Sequence, residues 1–225
     1  MNFDKTSLRL YAVTDRAWTG RQTLCQQVEA ALQGGVTCVQ LREKQLDKAA
    51  FLDEARQICA LCHRYGVPFI VNDDLDVALA SGADGVHVGQ DDLPVAEVRR
   101  RAGRRLIVGV SAHNPEQARL AEAGGADYLG AGAVFGSATK TDATPLSYAG
   151  LQAVCRAVRI PVVAIGGVGP RNILQLQGSG AAGAAVVSAL FSAPDITAAA
   201  RELRALADAM AQDSCPPSQT ERSTS

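Results

Sequence analysis

Gln40, Arg42 and Lys44 fall on alternate positions of the run Val39-Gln-Leu-Arg-Glu-Lys44, with Val39 and Leu41 between them. Side chains alternate faces along a strand, so this spacing predicts three long polar groups on one side of a buried element. Asn72, Asp73, Asp92, Ser111 and Lys140 each follow a later apolar run, at the same end of each. Cations, carboxylates and hydroxyls converging on one rim suit a divalent metal bound together with a diphosphate. Asp73 and Asp92 are hard oxygen donors, and Mg2+ commonly takes one or two such carboxylates and completes its octahedron with water and substrate phosphate. Asp74, Asp76 and Asp91 compete for that role. Asp74 can instead cap the following helix, Asp76 falls in that helix's first turn where a carboxylate is favoured, and spacing does not separate Asp92 from Asp91.

A second anion site is expected after strands seven and eight, where (β/α)8 barrels often bind a phosphate. The turn Gly166-Gly167-Val168-Gly169-Pro170 and the pair Val187-Ser188 both follow apolar runs, and exposed backbone N–H groups at such turns face phosphates well. The segment Phe135-Gly-Ser-Ala-Thr-Lys140 concentrates Ser137, Thr139 and Lys140 in a long connection, the kind of loop that carries function more often than not. His87, inside an apolar run, reads as a hydrogen-bonded core residue rather than a base. His113 lies nearer the rim without an evident partner.

The elements that must hold these groups are short apolar runs recurring roughly every 20 to 30 residues and alternating with helical patterns, the signature of βα units on a parallel sheet. Strands are expected at 9–14, 38–42, 68–71, 85–88, 106–110, 128–132, 161–165 and 184–187. Helices are expected at 22–33, 48–65, 75–80, 94–101, 115–123, 148–158 and 195–210. Eight units predict an α/β fold of the (β/α)8 TIM barrel type, with an open doubly wound sheet as the alternative. Active groups of such a barrel sit at the carboxyl ends of the strands, where every candidate above falls. Residues 1–210 then form a single catalytic domain, and the polar stretch 211–225, with Pro216-Pro217, is expected to be a disordered tail.

With 47% hydrophobic residues among 225, the chain can bury a sizeable core. A formal charge of −1 argues against a nucleic-acid or membrane surface. No stretch approaches the roughly 20 apolar residues a membrane span needs, and the N-terminus lacks a signal-peptide pattern, so a cytoplasmic location is expected. The six cysteines read as reduced thiols. Cys59-Ala-Leu-Cys62-His63 matches a haem-attachment pattern only formally, since both thiols fall on the inner face of a helix as small fillers.

The ordered set Gln40-Leu-Arg-Glu-Lys44, Asn72-Asp73, His87-Val-Gly-Gln-Asp-Asp92, Gly109-Val-Ser111, Thr139-Lys140, Gly166-Gly167 and Val187-Ser188 resembles the thiamine-phosphate synthase family over about residues 10 to 190. The resemblance implies that Gln40, Leu41, Arg42, Glu43 and Lys44, with Asn72, Ser111 and Lys140, bind an aminopyrimidine diphosphate. It implies that Arg42, Lys44, Ser111 and Lys140 carry the catalysis. It assigns Mg2+ to Asp73 and Asp92, in preference to Asp91, and the phosphate of a thiazole partner to Ser137, Ala138, Thr139, Gly167, Val187 and Ser188. The family usually has Pro-Thr where this chain has Gly136-Ser137, which keeps a hydroxyl on a looser loop. The activity so implied is condensation of the two small molecules to thiamine phosphate, with release of diphosphate. The alternatives are a thiazole tautomerase-like relative, which would have no use for paired magnesium carboxylates, and a noncatalytic sensor of phosphate ligands.

Overall fold

The computed structural model describes residues 3–20, 22–136 and 145–212. Eight parallel strands close into a barrel in chain order. They are β1 (Leu10–Val13), β2 (Cys38–Leu41), β3 (Phe69–Asn72), β4 (Gly85–Val88), β5 (Ile107–Ala112), β6 (Tyr128–Gly132), β7 (Val162–Ile165) and β8 (Gly183–Val186). β8 returns to β1 with Leu10 opposite Ala184 and Ala12 opposite Val186, so the open-sheet alternative is excluded and the (β/α)8 barrel stands. Around it lie α1 (Leu24–Gln33), α2 (Lys48–Arg64), α3 (Leu75–Ser81), α4 (Val95–Ala102), α5 (Pro115–Ala123), α6 (Tyr148–Ala157), α7 (Ser188–Phe191) and α8 (Ile196–Gln212).

Local chemistry starts these helices where the sequence places a capping oxygen. Thr23 accepts from Gln26 N while the Gln26 side chain returns to Thr23 N, a capping box at the head of α1. Asp47 and Asp74 cap α2 and α3, and Asn114 caps α5 with Pro115 behind it. The seventh unit departs from the pattern: only a 3-10 turn, Ile173–Leu176, lies between β7 and β8. Gly178 and Gly180, at φ of 72° and 89°, break the segment that follows the glycine turn. α8 runs two residues past its expected end. Ala211 is partly buried against the core, which extends the helix into what reads in sequence as tail. Residues 213–225 lie outside the described residues.

Two hydrophobic layers follow from strand alternation. Along β1, Leu10 and Ala12 join the large layer between barrel and helices, while Tyr11 and Val13 belong to a smaller cluster with Leu8, Cys38, Ile70, Tyr128, Val163 and Ala185 inside the barrel. β2 alternates in the same way, Cys38 inward and Val39 and Leu41 outward. Gly109 on β5 makes room for the interior: a Cβ there would overlap the ring of Tyr128, which is fully buried. Gly109→Ala is therefore expected to destabilise the fold by about 2 to 3 kcal/mol, as overpacking of a filled interior does. Urea unfolding should show a lower midpoint at unchanged slope, and an unchanged midpoint would mean that the Tyr128 ring can move aside.

The five described cysteines are free. Cys59 and Cys62 are buried on α2, and His63 Nε2 is hydrogen-bonded to Asp84 at 3.0 Å, so the formal haem pattern resolves into packing and a hydrogen bond. No described helix is long and apolar enough to cross a membrane.

Candidate functional site

A cavity of about 350 Å³ opens at the carboxyl end of the barrel. Gln40, Arg42, Lys44, Asn72, Asp73, Asp92, Ser111, Gly167, Val187 and Ser188 all line it. Gln40 is the inward residue at the end of β2, and Arg42 and Lys44 continue its side of the strand into the loop toward α2.

That loop is built around Glu43. Its side chain is 2% exposed, and one carboxylate oxygen accepts from the backbone N–H groups of Lys44 at 2.8 Å, Gln45 at 2.6 Å and Leu46 at 3.2 Å. The other accepts from Arg16 Nε at 2.7 Å, while Arg16 also holds Glu54 at 2.6 Å. Burial works against ionisation of Glu43, but these backbone donors and the Arg16 guanidinium outweigh it and hold the carboxyl below its ordinary range. Arg42 is steadied by its own backbone N–H on Thr14 Oγ1 at 3.0 Å and by Asp15 at 3.8 Å. Two cations are thus presented to the cavity by a loop whose shape is set by a carboxylate pointing elsewhere.

Asp73 faces Lys44 across the mouth, its Oδ2 2.5 Å from Lys44 Nζ. It is the one non-glycine residue with positive φ among those described, at 65°. Its N–H donates to the His87 carbonyl at 2.8 Å, and Asp74 N–H donates to the Asn72 carbonyl at 2.8 Å, which pins the turn. Asp74 meanwhile caps α3 through Val77 N at 2.9 Å, and Asp76 is held by Lys48 and Arg101. Both competitors for the metal role are occupied elsewhere. Asp91 still lines the cavity beside Asp92.

Burial lifts the Asp73 carboxyl above the usual range, the adjacent Asp92 lifts it further and Lys44 opposes both. Burial acts likewise on Asp92, but its hydrogen bond with Asp73, the Gly89 N–H at 2.7 Å and the charge of Lys44 leave it low. Two carboxyl groups close enough to share a proton form a site a cation would occupy in the proton's place. Two hard oxygens, with space in front of them for water and phosphate, match the habit of Mg2+. Among the described residues no group of three or more His, Cys, Asp or Glu is placed to cage a metal.

Behind the cations, the floor of the cavity is polar. Gln40, Tyr11, Tyr128, His87 and Ser111 touch in sequence inside the barrel, and Gln90 Nε2 donates to the Ser111 carbonyl at 2.6 Å. Burial pulls the His87 ring down to about 4, against a smaller upward pull from Asp92. His87 is a hydrogen-bonded interior residue, in line with its apolar surroundings in sequence. His113 does have a partner: its Nδ1 donates to the Gly132 carbonyl at 2.7 Å.

On the far side, Gly166 and Gly167 have φ of 102° and 64°, and a Cβ on Gly167 would lie 2.6 Å from the Phe135 carbonyl oxygen. Only glycine meets both demands. Asn172 locks the turn, accepting from Gly169 N at 2.8 Å and donating to the Gly167 carbonyl at 2.9 Å. Sequence reasoning missed Asn172, although Asn placed three residues after a glycine turn is a common loop fastener. It also missed Tyr11 and Arg16. The structure does not bring Leu41 or the Glu43 side chain into the cavity: Leu41 is packed between barrel and helices, and Glu43 points into its loop. Ser137, Ala138, Thr139 and Lys140 lie outside the described residues.

A family model described as thiamine monophosphate synthase matches residues 10–190. The chain is 51% identical over 199 residues to a thiamine-phosphate synthase of Chloroflexus aurantiacus, covering 88% of this chain and 92% of that one. It is 48% identical over 199 residues to that of Ruminiclostridium cellulolyticum, covering 88% and 95%. Among solved structures, a thiamine phosphate pyrophosphorylase from Pyrococcus furiosus aligns with a TM-score of 0.85 at 37% identity, over 92% of this chain and 98% of that one.

Proposed function

The chain belongs to the thiamine monophosphate synthase family, and for its thiamine-phosphate synthase activity we propose the substrates and residue roles that the cavity suits. The reaction joins an aminopyrimidine methyl diphosphate to a thiazole ethyl phosphate, carboxylated or not. The bond between the methylene carbon and the diphosphate oxygen breaks with its electron pair on oxygen. The thiazole nitrogen lone pair then forms the new carbon–nitrogen bond, so the positive charge ends on the thiazolium ring. No nucleophile from the protein is needed; an uncarboxylated thiazole requires no proton transfer, whereas a carboxylated one must also release CO2 and take up a proton on the carbon that bore it.

The observation that carries this reading is the pairing of Asp73 and Asp92 beside Lys44 and Arg42 at one lip of the cavity, with the Gly166-Gly167 turn and Ser188 lining it as well. Asp73 and Asp92 would hold Mg2+, whose charge, when bound, offsets that growing on the leaving diphosphate. Arg42 and Lys44 supply fixed positive charge to the same group, with Lys140 as a third cation, and Asn72 and Ser111 hydrogen-bond it and the pyrimidine. Ser137, Ala138 and Thr139 join Gly167, Val187 and Ser188 around the thiazole phosphate. Val13, Val163 and Ile165 line the space between, which keeps water from capturing the pyrimidine methyl cation before the thiazole does.

The test follows pyrophosphate and thiamine phosphate together in one assay with both substrates and Mg2+. Equal amounts of both products, and neither without Mg2+, are expected. Pyrophosphate without thiamine phosphate would contradict the proposed coupling, and tight binding of both substrates without either product would identify a sensor.

A further inference from the structure

Five polar side chains form an unbroken chain beneath the cavity, and its direction is set at one end. Gln40 Nε2 donates to the Tyr11 hydroxyl at 2.9 Å. The hydroxyls of Tyr11 and Tyr128 lie 2.8 Å apart, that of Tyr128 lies 2.9 Å from His87 Nδ1, and His87 Nε2 lies 3.0 Å from Ser111 Oγ. Each phenol has one hydrogen to give. With Tyr11 receiving from Gln40, its hydrogen goes to Tyr128, whose oxygen is a better acceptor than the sulfur of Cys38 that also meets the Tyr11 hydroxyl, and the Tyr128 hydrogen goes to His87 Nδ1. That nitrogen is then an acceptor. With Nδ1 accepting, the ring's single hydrogen sits on Nε2 and is donated to Ser111 Oγ. The hydrogen of Ser111 is left free to point into the cavity.

The reverse polarity would turn the Ser111 hydrogen onto His87 and face an anion with oxygen lone pairs alone. It would also require the carbonyl end of the Gln40 amide at Tyr11, where the nitrogen stands. The chain is built rather than incidental. Tyr128 is fully buried, and the two glycines beside it leave the rings their space: a Cβ on Gly109 would overlap Tyr128, and one on Gly130 would lie 3.1 Å from His87 Cε1.

We propose that Tyr128 and His87 are positioning residues: the directed chain from Gln40 fixes His87 as the Nε2–H tautomer and thereby holds Ser111 as a hydrogen-bond donor to the departing diphosphate. The inference rests on the proposed reading of Ser111 as a ligand of that group. At the opposite end the same polarity uses one N–H of the Gln40 amide and leaves its carbonyl oxygen as an acceptor beside the second N–H, which suits a ring nitrogen flanked by an amino group. The chain therefore offers an acceptor at one end and a donor at the other, complementary to the two ends of an aminopyrimidine diphosphate.

The test is a long-range 1H–15N spectrum of the full chain labelled at histidine, with His87 assigned from its loss in His87→Gln, read beside the kinetics of Tyr128→Phe and Ser111→Ala. Wild type should show the Nε2–H tautomer. In Tyr128→Phe that signature should shift toward a mixture, and kcat should fall about tenfold, as loss of one directed hydrogen bond does, with KM for the thiazole phosphate unchanged. A purely structural role for Tyr128 would lower stability and leave the tautomer alone. An Nδ1–H tautomer in wild type overturns the proposal by itself, whether or not Tyr128→Phe folds, and so does a Tyr128→Phe protein with unchanged tautomer and kcat. Wild-type kinetics in Ser111→Ala would instead sink the reading of Ser111 as a ligand.

Discussion

Asp92→Asn should lower kcat by about two to three orders of magnitude, the scale on which losing one preorganised charge contact in a closed site is felt. Asparagine keeps the shape and an oxygen for the Gly89 N–H, so the loss reports on charge. The Mg2+ needed for half-maximal rate should rise about tenfold or more. The pH dependence follows from the Asp73 carboxyl, whose value is raised first by burial and then by Asp92. Mg2+ competes with the proton held there, so the wild-type Mg2+ requirement grows as pH falls through that raised value. In Asp92→Asn the repelling neighbour is gone, Asp73 loses its proton more readily, and the onset moves to lower pH. The stability sign is the reverse of the usual carboxylate case: a raised value means the native state binds the proton more tightly than the unfolded chain, so metal-free stability declines as pH rises through it. Mg2+ titrations at several pH values check the rate, the metal requirement and its onset, and urea unfolding without metal checks the stability. Identical curves for variant and wild type would remove Asp92 from the metal.

Glu43→Ala is the second large effect, and it arises from a residue that never reaches the cavity. Removing the carboxylate leaves three backbone N–H groups and Arg16 Nε without their acceptor, while Arg16 keeps Glu54. Breaking a buried charged pair with attached hydrogen bonds costs about 2 to 4 kcal/mol. Arg42 and Lys44 flank Glu43, so kcat/KM should fall by about tenfold to a hundredfold as the loop loses its shape. The folded value of Glu43 is depressed. Its contribution is therefore complete above the unfolded glutamate value, about 4.3, and is lost as pH falls through the folded one. Urea unfolding should separate the two proteins at neutral pH and bring them together in acid. A difference that persists undiminished in acid would mean that packing, not charge, carries the effect.

The barrel was legible because each strand is a short apolar run ended by residues that serve another purpose, such as Thr14, Arg42, Asn72 and Ser111. Turn glycines such as Gly82 and Gly125, both at positive φ, mark the opposite ends. The seventh connection was less legible, since nothing in 171–182 announces a 3-10 turn before the chain must re-enter the sheet. Within the site, position after a strand identified the residues of the rim. Alternation along β2 set Gln40, Arg42 and Lys44 apart from Leu41, and Leu41 and Glu43 joined them only through the family resemblance, which takes the motif as one contiguous run and does not separate a side chain that enters the cavity from one that shapes the loop. The polar chain in the barrel was hidden for a different reason. Tyr11 and Tyr128 are 117 residues apart and each stands in an apolar strand, where periodicity reads a tyrosine as filler. Their pairing is a property of closure.

Asp73 narrows what protein engineering can do at this lip. A backbone angle of 65° admits Gly, Asn and Asp readily and penalises nearly every other side chain by about 1 to 2 kcal/mol. A saturation library at position 73 sorted on folding alone should therefore collapse to these three, and only one of them carries a charge. The same library sorted on turnover should return aspartate by itself, so comparing the two selections separates what the turn demands from what the chemistry demands.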